Sequence, residues 1–349
     1  MNKANKLLIW YNQQSYYFPW RKNQKAYNIW ISEIMLQQTQ VKIALPYYVR
    51  WMKKYPDITS LQKSNIDELL ILWQGLGYYT RVHNIYKTSQ IIVHDNNNIF
   101  PNTYSDLINL PGIGDYTASM ILSIAFNVSK HVPIDGNVKR IMSRLYMISR
   151  KKSTLSNYKQ YAKEYISNLK PGDSIQALMD IGREICKPKS PNCIKCPLNK
   201  DCDAYLADQV EKFPYQNKIK NIPQYNVVVG MIWKDNKFII SKRLKGKLLA
   251  NLWELPGGKI QEDETKEECL NREIKEELDI KINKIQKIGV VNHQYSHMKL
   301  SITLFQCNYK SGLEKPLSSQ EIKWITSDQK KDFAFPRATH KLFQLINNK

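Results

Sequence analysis

The pattern of apolar and polar positions changes once along the chain, near residue 210. Before that point, apolar residues recur at three- and four-residue intervals, the spacing of one face of a helix. This spacing is clearest in residues 29–36, 69–76, 117–124, 138–145 and 175–185. Prolines beside these segments predict helix boundaries, namely Pro19, Pro46, Pro56, Pro101, Pro111 and Pro133. Residues 5–210 are therefore predicted to be helical.

The remainder of the chain has a different pattern. Residues 206–224 are polar, with a proline near each end, and are typical of a linker. β-branched and aromatic runs then predict strands at 226–233, 237–243 and 300–307. A charged amphipathic helix is predicted between them, at residues 265–278. The expected fold is an all-α region followed by an α/β domain.

Length and charge narrow the class of protein. A chain of 349 residues is long enough for two or three domains, each with its own core. No apolar run reaches the length of a membrane span, and the N-terminal residues match neither a signal peptide nor a presequence. The net charge of +21 predicts a polyanionic partner such as nucleic acid, although a general excess of lysine is an alternative explanation. We therefore expect an intracellular protein without a membrane partner.

Four cysteines lie close together in the sequence with the spacing C-x6-C-x2-C-x5-C. They are Cys186, Cys193, Cys196 and Cys202. Four thiolates this close in sequence are typical of a metal or iron–sulfur ligand set, and the irregular spacing favours an iron–sulfur cluster over structural zinc. Disulfides are disfavoured because the chain shows no secretory signal.

A glycine-containing turn is predicted at residues 110–118, LPGIGDYTA, followed by an apolar helix. Gly112 and Gly114 allow a tight turn, and the start of the second helix offers backbone amides to a phosphate. This pattern favours a DNA-binding helix–hairpin–helix, with an ordinary turn between helices as the alternative. Asp135 lies just before the next helix, where it is either an N-cap or a carboxylate that stabilises a developing positive charge.

Glu33 is the one carboxylate in a largely apolar helical segment that contains Trp30, Ile34 and Leu36. Removal of such a carboxylate from water raises its pKa towards that of a general acid. The alternative is a surface glutamate on a polar face with Ser32. A proton-donating carboxyl and a charge-stabilising carboxylate together suit cleavage of an N-glycosidic bond, by analogy with glycoside hydrolysis.

Six collinear motifs together resemble the adenine DNA glycosylases of the MutY type, over almost the whole chain. They are residues 19–21 (PWR), 32–41 (SEIMLQQTQV), 73–81 (WQGLGYYTR), 110–118, 134–140 (IDGNVKR) and the four cysteines. The resemblance implies an iron–sulfur helical domain at 1–22 and 126–205 and a six-helix helix–hairpin–helix domain at 23–125. It also implies a linker at 206–224 and a Nudix-like domain at 225–349.

The resemblance also implies roles for individual residues. Glu33 would protonate N7 of adenine, and Asp135 would stabilise, or transiently bond to, C1′ of the sugar and assist the attack of water. Asn137 would support this carboxylate, and Tyr116 would pack beside the catalytic pair. The implied adenine pocket consists of Trp20, Arg21, Leu36 and Gln176. The implied DNA-binding residues are Gln38, Tyr78, Gly112, Gly114 and Lys139.

One position separates this family from a close relative. Endonuclease III-type lyases carry a lysine nucleophile where this chain has Tyr116, so the sequence predicts a glycosylase without lyase activity. The predicted substrate is adenine paired with 8-oxoguanine, or with guanine, in duplex DNA. We expect a monomer with one [4Fe-4S] cluster in a bacterial-type cytoplasm, associated with the nucleoid. The alternatives are an endonuclease III-like glycosylase/lyase and a non-catalytic iron–sulfur protein that binds DNA.

Residues 258–280 match the Nudix signature, except that Asp279 replaces its final glycine. In Nudix hydrolases, glutamates at the positions of Glu273, Glu276 and Glu277 hold Mg²⁺. In the glycosylase family, the domain instead resembles MutT as a reader of 8-oxoguanine. The implied recognition residues are Tyr295, Ser296 and His297. We favour recognition, and keep a Mg²⁺-dependent nucleotide hydrolase as the second hypothesis.

Overall fold

The computed structural model describes residues 2–14, 17–215 and 221–347, without the side chain of Asn347. The chain forms two compact units. The first consists of Met1–Lys63 and Asn84–Lys218, and the second of Ser64–His83 and Ile219–Lys349. Across the described ranges, none of the helices combines the length and the apolar composition needed to cross a membrane.

The chain before residue 210 is helical, as predicted. Its helices are α1 (Lys3–Asn12), α2 (Pro19–Lys22), α3 (Ala26–Leu36), α4 (Val41–Lys54), α5 (Ile58–Gln62), α6 (Ile66–Trp73), α7 (Thr80–Asp95), α8 (Tyr104–Ile108), α9 (Asp115–Ala125), α10 (Gly136–Leu145), α11 (Leu155–Lys163), α12 (Pro171–Asp180) and α13 (Asp203–Leu206). A π-helical turn, Ile181–Ile185, continues α12 towards the first cysteine.

The most buried helix of the first unit is α3, in which every residue from Tyr27 to Met35 is buried. It packs against α4 and α9, and α12 packs against α1, α9 and α10. Such burial on all sides explains why the apolar spacing of α3 is nearly continuous. The core of the first unit is therefore built around α3, α9 and α12.

The prediction that Pro46 marks a helix boundary is wrong, because Pro46 lies inside α4. Proline inside a helix removes one backbone hydrogen bond and crowds the preceding turn. The same helix buries Ala44, Tyr48 and Trp51 on one face. Burial of two large aromatic side chains outweighs the loss of one hydrogen bond, so the helix continues through the proline. The other five prolines lie at helix starts or between helices.

The second unit contains a mixed sheet of seven strands in its described residues. The strands are β1 (Gln224–Lys234), β2 (Lys237–Lys242), β3 (Trp253–Glu254), β4 (Gly257–Lys259), β5 (Ile280–Gln294), β6 (Lys299–Gly312) and β7 (Glu321–Ile325). The main order is β3-β2-β1-β6-β5, with β4 paired to β1 and β7 to β2. The pair β1/β6 is parallel, with Val229 opposite Leu304, and the other pairs are antiparallel.

The sheet has an apolar core on each face, because alternate residues of a strand point to opposite sides. One core contains Val229 and Met231 of β1 together with Phe343 of helix α15 (Arg337–Asn347). The other contains Val228 and Ile232 together with apolar residues of helix α14 (Lys266–Leu278). The result is the α/β domain that the strand and helix patterns predict.

Residues 64–83, which contain α6, belong to the same compact unit as the sheet. The amide of Phe335 donates to Oε1 of Gln74 at 2.9 Å, and Lys242 pairs with Asp67 at 2.8 Å. The sequence gives no local signal for these contacts, because their partners are far apart along the chain. The domain boundaries expected at residues 23, 126, 206 and 225 stay a prediction, and 216–220 of the linker lie outside the described residues.

Candidate active site

A cavity of about 730 Å³ in the first unit is lined by residues of α2, α3, α9 and α12. The eight residues predicted for catalysis and for the adenine pocket all line it. They are Trp20, Arg21, Glu33, Leu36, Tyr116, Asp135, Asn137 and Gln176. Residues from five separate segments of sequence thus meet at one site.

Glu33 lies on the buried helix α3, and only 6% of its surface is exposed. Burial raises the pKa of this carboxyl to about 7, and the nearby Asp135 acts in the same direction. The hydroxyl of Tyr116 donates to Oε2 of Glu33 at 3.0 Å and opposes part of the rise. A carboxyl with this pKa is protonated in a substantial fraction of molecules at neutral pH, as a general acid must be.

Asp135 is both an N-cap and a wall of the cavity. Its Oδ1 accepts from the amide of Val138 at 2.7 Å, and its Oδ2 accepts from Nδ2 of Asn137 at 2.9 Å. Burial raises the pKa of Asp135, while these two hydrogen bonds lower it. The two interpretations of Asp135 are therefore compatible, because the bonds that cap α10 also hold the carboxylate in place.

The hydroxyl of Tyr116 is a hydrogen-bond partner of Glu33. Burial, followed by the charges of Glu33 and Asp135, raises the pKa of its phenol well above the usual value. The phenol therefore keeps its proton and donates to Glu33. The cavity has no amine at this position that could form a Schiff base.

Part of the pocket wall is held by an ion pair that the sequence did not reveal. Nη1 and Nη2 of Arg21 donate to the two oxygens of Asp180 at 2.7 and 2.8 Å. Asp180 is only 1% exposed, and Phe18 stacks on Trp20 with ring centroids 5.2 Å apart. Asp180 follows Gln176 by four residues on α12, so the helical repeat was the signal that could have identified it.

The helix–hairpin–helix forms at the predicted residues, between α8 and α9. Gly112 has a φ of +77°, and a Cβ there would lie 2.7 Å from Cβ of Asn84, so a side chain does not fit. Gly114 is the N-cap of α9 and has open space beside its Cα. This open N-terminus suits the approach of a phosphate group.

The remaining predicted DNA-binding side chains lie outside the cavity. Gln38 and Lys139 are exposed on the first unit, and Gln38 has a left-handed backbone with φ 55°. Tyr78, in the second unit, is 45% exposed and also left-handed, with φ 48°. All three side chains are thus exposed within their own units.

All four clustered cysteines line one small space in the first unit, together with Arg144. Burial raises the pKa of Cys196 to about 12, and the thiols of Cys186, Cys202 and Cys193 act in the same direction. Arg144 is 2% exposed and donates to Sγ of Cys186 at 3.3 Å. The donor set fits an iron–sulfur cluster, although no three His, Cys, Asp or Glu side chains in the described ranges are arranged as a metal-ion site.

Helix α10 connects the cavity to the cysteine loop. Nη2 of Arg140 donates to Oδ1 of Asn137 at 2.9 Å, and its Nε donates to the carbonyl of Cys186 at 2.7 Å. Gly182 lies so close that a Cβ there would be 2.6 Å from Cβ of Asn137. The spacing of Asn137, Arg140 and Arg144 along one helix face was the signal for this connection.

The Nudix signature lies at α14 in the second unit. Arg272 pairs with Glu264, Glu273 and Glu276 at 2.7, 2.8 and 3.3 Å. Oε2 of Glu277 accepts from the amide of Gly257 at 2.9 Å, and burial raises the pKa of Glu277 to about 7. Three of the signature glutamates thus share one arginine.

Asp279 replaces the final glycine of the signature and ends α14 with a left-handed φ of 57°. Aspartate is one of the few residues other than glycine that adopt this conformation at moderate cost. Its carboxylate also pairs with Lys275. The substitution therefore preserves the helix end that glycine would give.

Tyr295, Ser296 and His297 form the turn between β5 and β6. The amide of Tyr295 donates to the carbonyl of Met298 at 2.8 Å, which closes the turn. Ser296 and His297 are exposed, and the rings of Tyr295 and His297 stack with centroids 6.3 Å apart. The predicted recognition residues are thus presented together at one sheet end.

Comparison with known proteins gives matches for both regions. Residues 31–167 match the model of the HhH-GPD superfamily base excision DNA repair proteins, and residues 228–345 match the NUDIX domain. The adenine DNA glycosylase of Buchnera aphidicola subsp. Acyrthosiphon pisum is 37% identical over 97% of this chain and 95% of its own length.

Two solved structures share the helical fold. A thermostable thymine-DNA glycosylase superposes with a TM-score of 0.54 and 25% identity, over 58% of this chain and 95% of its own. Endonuclease III trapped as a covalent intermediate with DNA gives a TM-score of 0.51 and 21% identity, over 59% and 94%. The fold class and the family inferred from the motifs are confirmed: the chain belongs to the adenine DNA glycosylase family.

Proposed function

We propose that this DNA N-glycosylase removes adenine paired with 8-oxoguanine, and with guanine, from duplex DNA during base excision repair. The main support for the proposal is that Glu33 and Asp135 line the same cavity. The hydroxyl of Tyr116 on α9 donates a hydrogen bond to Glu33 on α3. The product is an abasic site in an uncut strand, because the cavity offers a phenol where lyases need an amine.

In this proposal Glu33 is the general acid. Its raised pKa keeps a proton available near neutral pH, and that proton passes to N7 of adenine as the glycosidic bond breaks. Protonation turns adenine into a neutral leaving group. The hydrogen bond from Tyr116 to Oε2 fixes the carboxyl, so that its other oxygen faces the base.

Asp135 stabilises the positive charge that develops on the sugar. The bonds from Val138 and Asn137 hold its two oxygens before the reaction begins, so little reorganisation is required. The carboxylate then stabilises, or bonds to, C1′ and assists the water that replaces adenine. Arg140 fixes the amide of Asn137 from the side of the cysteine loop.

The extruded adenine occupies the cavity among Trp20, Arg21, Leu36 and Gln176. Extrusion costs a few kcal/mol of lost stacking and pairing. Gln38 and Tyr78 offset this cost by entering the vacated and opposing positions in the helix. The amides near Gly112 and Gly114, with Lys139, bind the phosphate backbone of nucleoid DNA.

Strand cleavage tests the proposal against its two alternatives. A duplex labelled on the adenine strand should remain intact after incubation with the protein and break only after alkali. Breakage without alkali would indicate an endonuclease III-like lyase. Binding without any release of adenine would indicate a non-catalytic DNA-binding protein.

We propose that the four clustered cysteines bind one [4Fe-4S] cluster, which holds the loop between α12 and α13 in shape. Cys196→Ser is therefore expected to lower the iron content and the melting temperature, because one ligand of the cluster is lost. Iron, sulfide and zinc are measured per chain in the purified protein. Cys269→Ala, at a buried cysteine of the second unit, should leave iron unchanged. Zinc in place of iron would contradict the proposal.

We propose that the turn of Tyr295, Ser296 and His297 recognises 8-oxoguanine. Ser296→Ala should reduce the preference for 8-oxoguanine:A over G:A by about tenfold, the value of one hydrogen bond of about 1.4 kcal/mol. Single-turnover rates on the two duplexes give this preference. Ser311→Ala, an exposed serine at the far end of β6, is the matched control. An unchanged preference in Ser296→Ala would assign recognition elsewhere.

We propose that the Nudix signature of this chain serves packing rather than hydrolysis. Arg272 engages Glu273 and Glu276, and the amide of Gly257 engages Glu277. Incubation with Mg²⁺ and oxidised dGTP should therefore give no hydrolysis above that of a buffer control. Turnover that vanishes in Glu276→Gln would instead establish a Mg²⁺-dependent hydrolase with Glu273, Glu276 and Glu277 as ligands.

A further inference from the structure

The turn between α6 and α7, residues 74–79, carries Tyr78 and lies within the second unit. Gly77 and Tyr78 both have left-handed backbones, with φ of 78° and 48°. The carbonyl groups of such a turn fall outside the regular hydrogen-bond pattern of the two helices. Side chains must therefore supply the hydrogen bonds that keep its shape.

The carbonyls of this turn are held by Arg81, which is only 7% exposed. Its Nη2 donates to the carbonyls of Leu76 and Gly77 at 3.2 and 3.0 Å, and its Nε donates to the carbonyl of Tyr78 at 3.4 Å. Nε1 of Trp73 also donates to the carbonyl of Gly77, at 3.0 Å. The planar guanidinium thus fixes three consecutive peptide groups at once.

The same turn is attached to Phe335, and both backbone groups of that residue take part. The amide of Phe335 donates to Oε1 of Gln74 at 2.9 Å, and its carbonyl accepts from the hydroxyl of Tyr79 at 3.4 Å. The Tyr79 hydroxyl also accepts from the amide of Gly75 at 3.3 Å, so its proton and its oxygen are both used. Tyr79 is 6% exposed and Phe335 is fully buried, and buried hydrogen bonds of this kind are costly to lose.

Phe335 belongs to the apolar core between the sheet and α15. Its ring packs edge-on against Phe343 of α15, with centroids 5.1 Å apart. Tyr78, next to Tyr79 along the chain, is 45% exposed. The turn between β5 and β6 lies in the same compact unit. The core of the Nudix-like domain therefore anchors the turn that exposes Tyr78.

We propose that Tyr79 is a positioning residue whose hydrogen bond to Phe335 lets the second unit present Tyr78 to the DNA helix. This inference rests on the proposed roles of Tyr78 and of the turn between β5 and β6. The side chain that enters the helix and the turn that recognises 8-oxoguanine are then presented by the same body. Recognition of 8-oxoguanine thereby brings Tyr78 beside it.

A double-variant cycle tests the inference. Single-turnover excision of adenine opposite 8-oxoguanine is measured for wild type, Tyr79→Phe, Tyr78→Ala and the double variant. Tyr79→Phe removes one hydroxyl and keeps the ring, and it should slow excision by about three- to tenfold, the effect of one lost hydrogen bond. In the Tyr78→Ala background it should have no further effect, because no ring remains to be positioned. Equal slowing in both backgrounds would overturn the inference and leave the hydroxyl a purely structural role.

Fluorescence provides a readout that does not depend on the reaction. 2-Aminopurine is placed beside 8-oxoguanine, in a duplex with a stable abasic analogue opposite the 8-oxoguanine. Binding of the wild type should change the emission as Tyr78 enters the helix, and Tyr78→Ala should abolish that change. Tyr79→Phe should reduce it, and so should Gln74→Leu, which removes the other hydrogen bond to Phe335. A full wild-type change in both of these variants would contradict the inference.

Tyr17→Phe is the matched control, because Tyr17 is 72% exposed and belongs to the first unit. It should match the wild type in rate and in emission, and melting temperatures report whether each variant folds. If Tyr78→Ala leaves both rate and emission unchanged, the proposed role of Tyr78 fails, and the inference fails with it. If the emission change is lost in Tyr78→Ala but complete in Tyr79→Phe, the inference alone is overturned.

Discussion

Glu33→Gln is expected to reduce the rate of adenine excision by about 10²–10⁴-fold, the usual contribution of a general acid. The glutamine side chain has nearly the same shape and still accepts the hydrogen bond from Tyr116. It has no acidic proton to give to the leaving base. Single-turnover kinetics on a duplex with 8-oxoguanine opposite adenine measure the effect, and the affinity for product DNA should stay close to that of the wild type.

The pH dependence of the wild type gives an independent check on Glu33. Burial raises the pKa of this carboxyl from its usual range to about 7. The acid form is therefore present below pH 7 and is lost as the pH rises through that value. Excision should fall on the alkaline side with an apparent pKa near 7, and this limb should be absent in Glu33→Gln. A rate independent of pH between 5 and 9, or a fully active Glu33→Gln, would contradict the role.

Asp135→Asn is expected to reduce excision by about 10²–10³-fold, comparable to the loss of one electrostatic group that stabilises a transition state. The substitution removes the negative charge that faces the developing sugar cation. It also removes the carboxylate that assists water. Single-turnover kinetics on the same duplex measure this loss.

The structure separates this chemical role from the capping role of Asp135. Asparagine is as good an N-cap as aspartate, so Asp135→Asn should melt within a few degrees of the wild type. Asp135→Ala loses the cap as well and should be destabilised by about 1 kcal/mol. Unchanged adenine release by Asp135→Asn would rule out the mechanism. A loss of activity that appears only in the destabilised Asp135→Ala would show that capping is the sole role.

The structural features that depend on the local sequence pattern were predicted from the sequence. Helices α3, α9 and α10 and strands β1, β2 and β6 follow from apolar periodicity, and the turn at Gly112 follows from a short glycine motif. Glu33 was predicted to be buried from its apolar neighbours, and the structure has it 6% exposed. Each of these features depends on residues that are only a few positions apart in the sequence.

The features that the sequence did not predict depend on long-range contacts. The pair of Arg21 and Asp180 and the bond between Tyr11 and Gln176 join residues about 160 positions apart. The hydrogen bond from Arg140 to the carbonyl of Cys186, which links the cavity to the cysteine loop, is also a contact between distant positions in the sequence. Pro46 was misjudged because burial of the α4 face, a tertiary effect, outweighs the local cost of proline. The local pattern thus pointed to Glu33 and Asp135 as candidates, whereas the contacts of Asp180 and Tyr11 became visible only in the structure.

The central claim is that the cavity of Glu33 and Asp135 excises adenine selected by its partner base. The most direct measurement is the single-turnover rate of adenine release by the purified full-length protein from three duplexes. In these, adenine is placed opposite 8-oxoguanine, guanine or thymine. We predict fastest release opposite 8-oxoguanine, slower release opposite guanine and none opposite thymine, in each case without strand breakage before alkali. Equal release from all three duplexes, or release of a pyrimidine instead of adenine, would contradict the account.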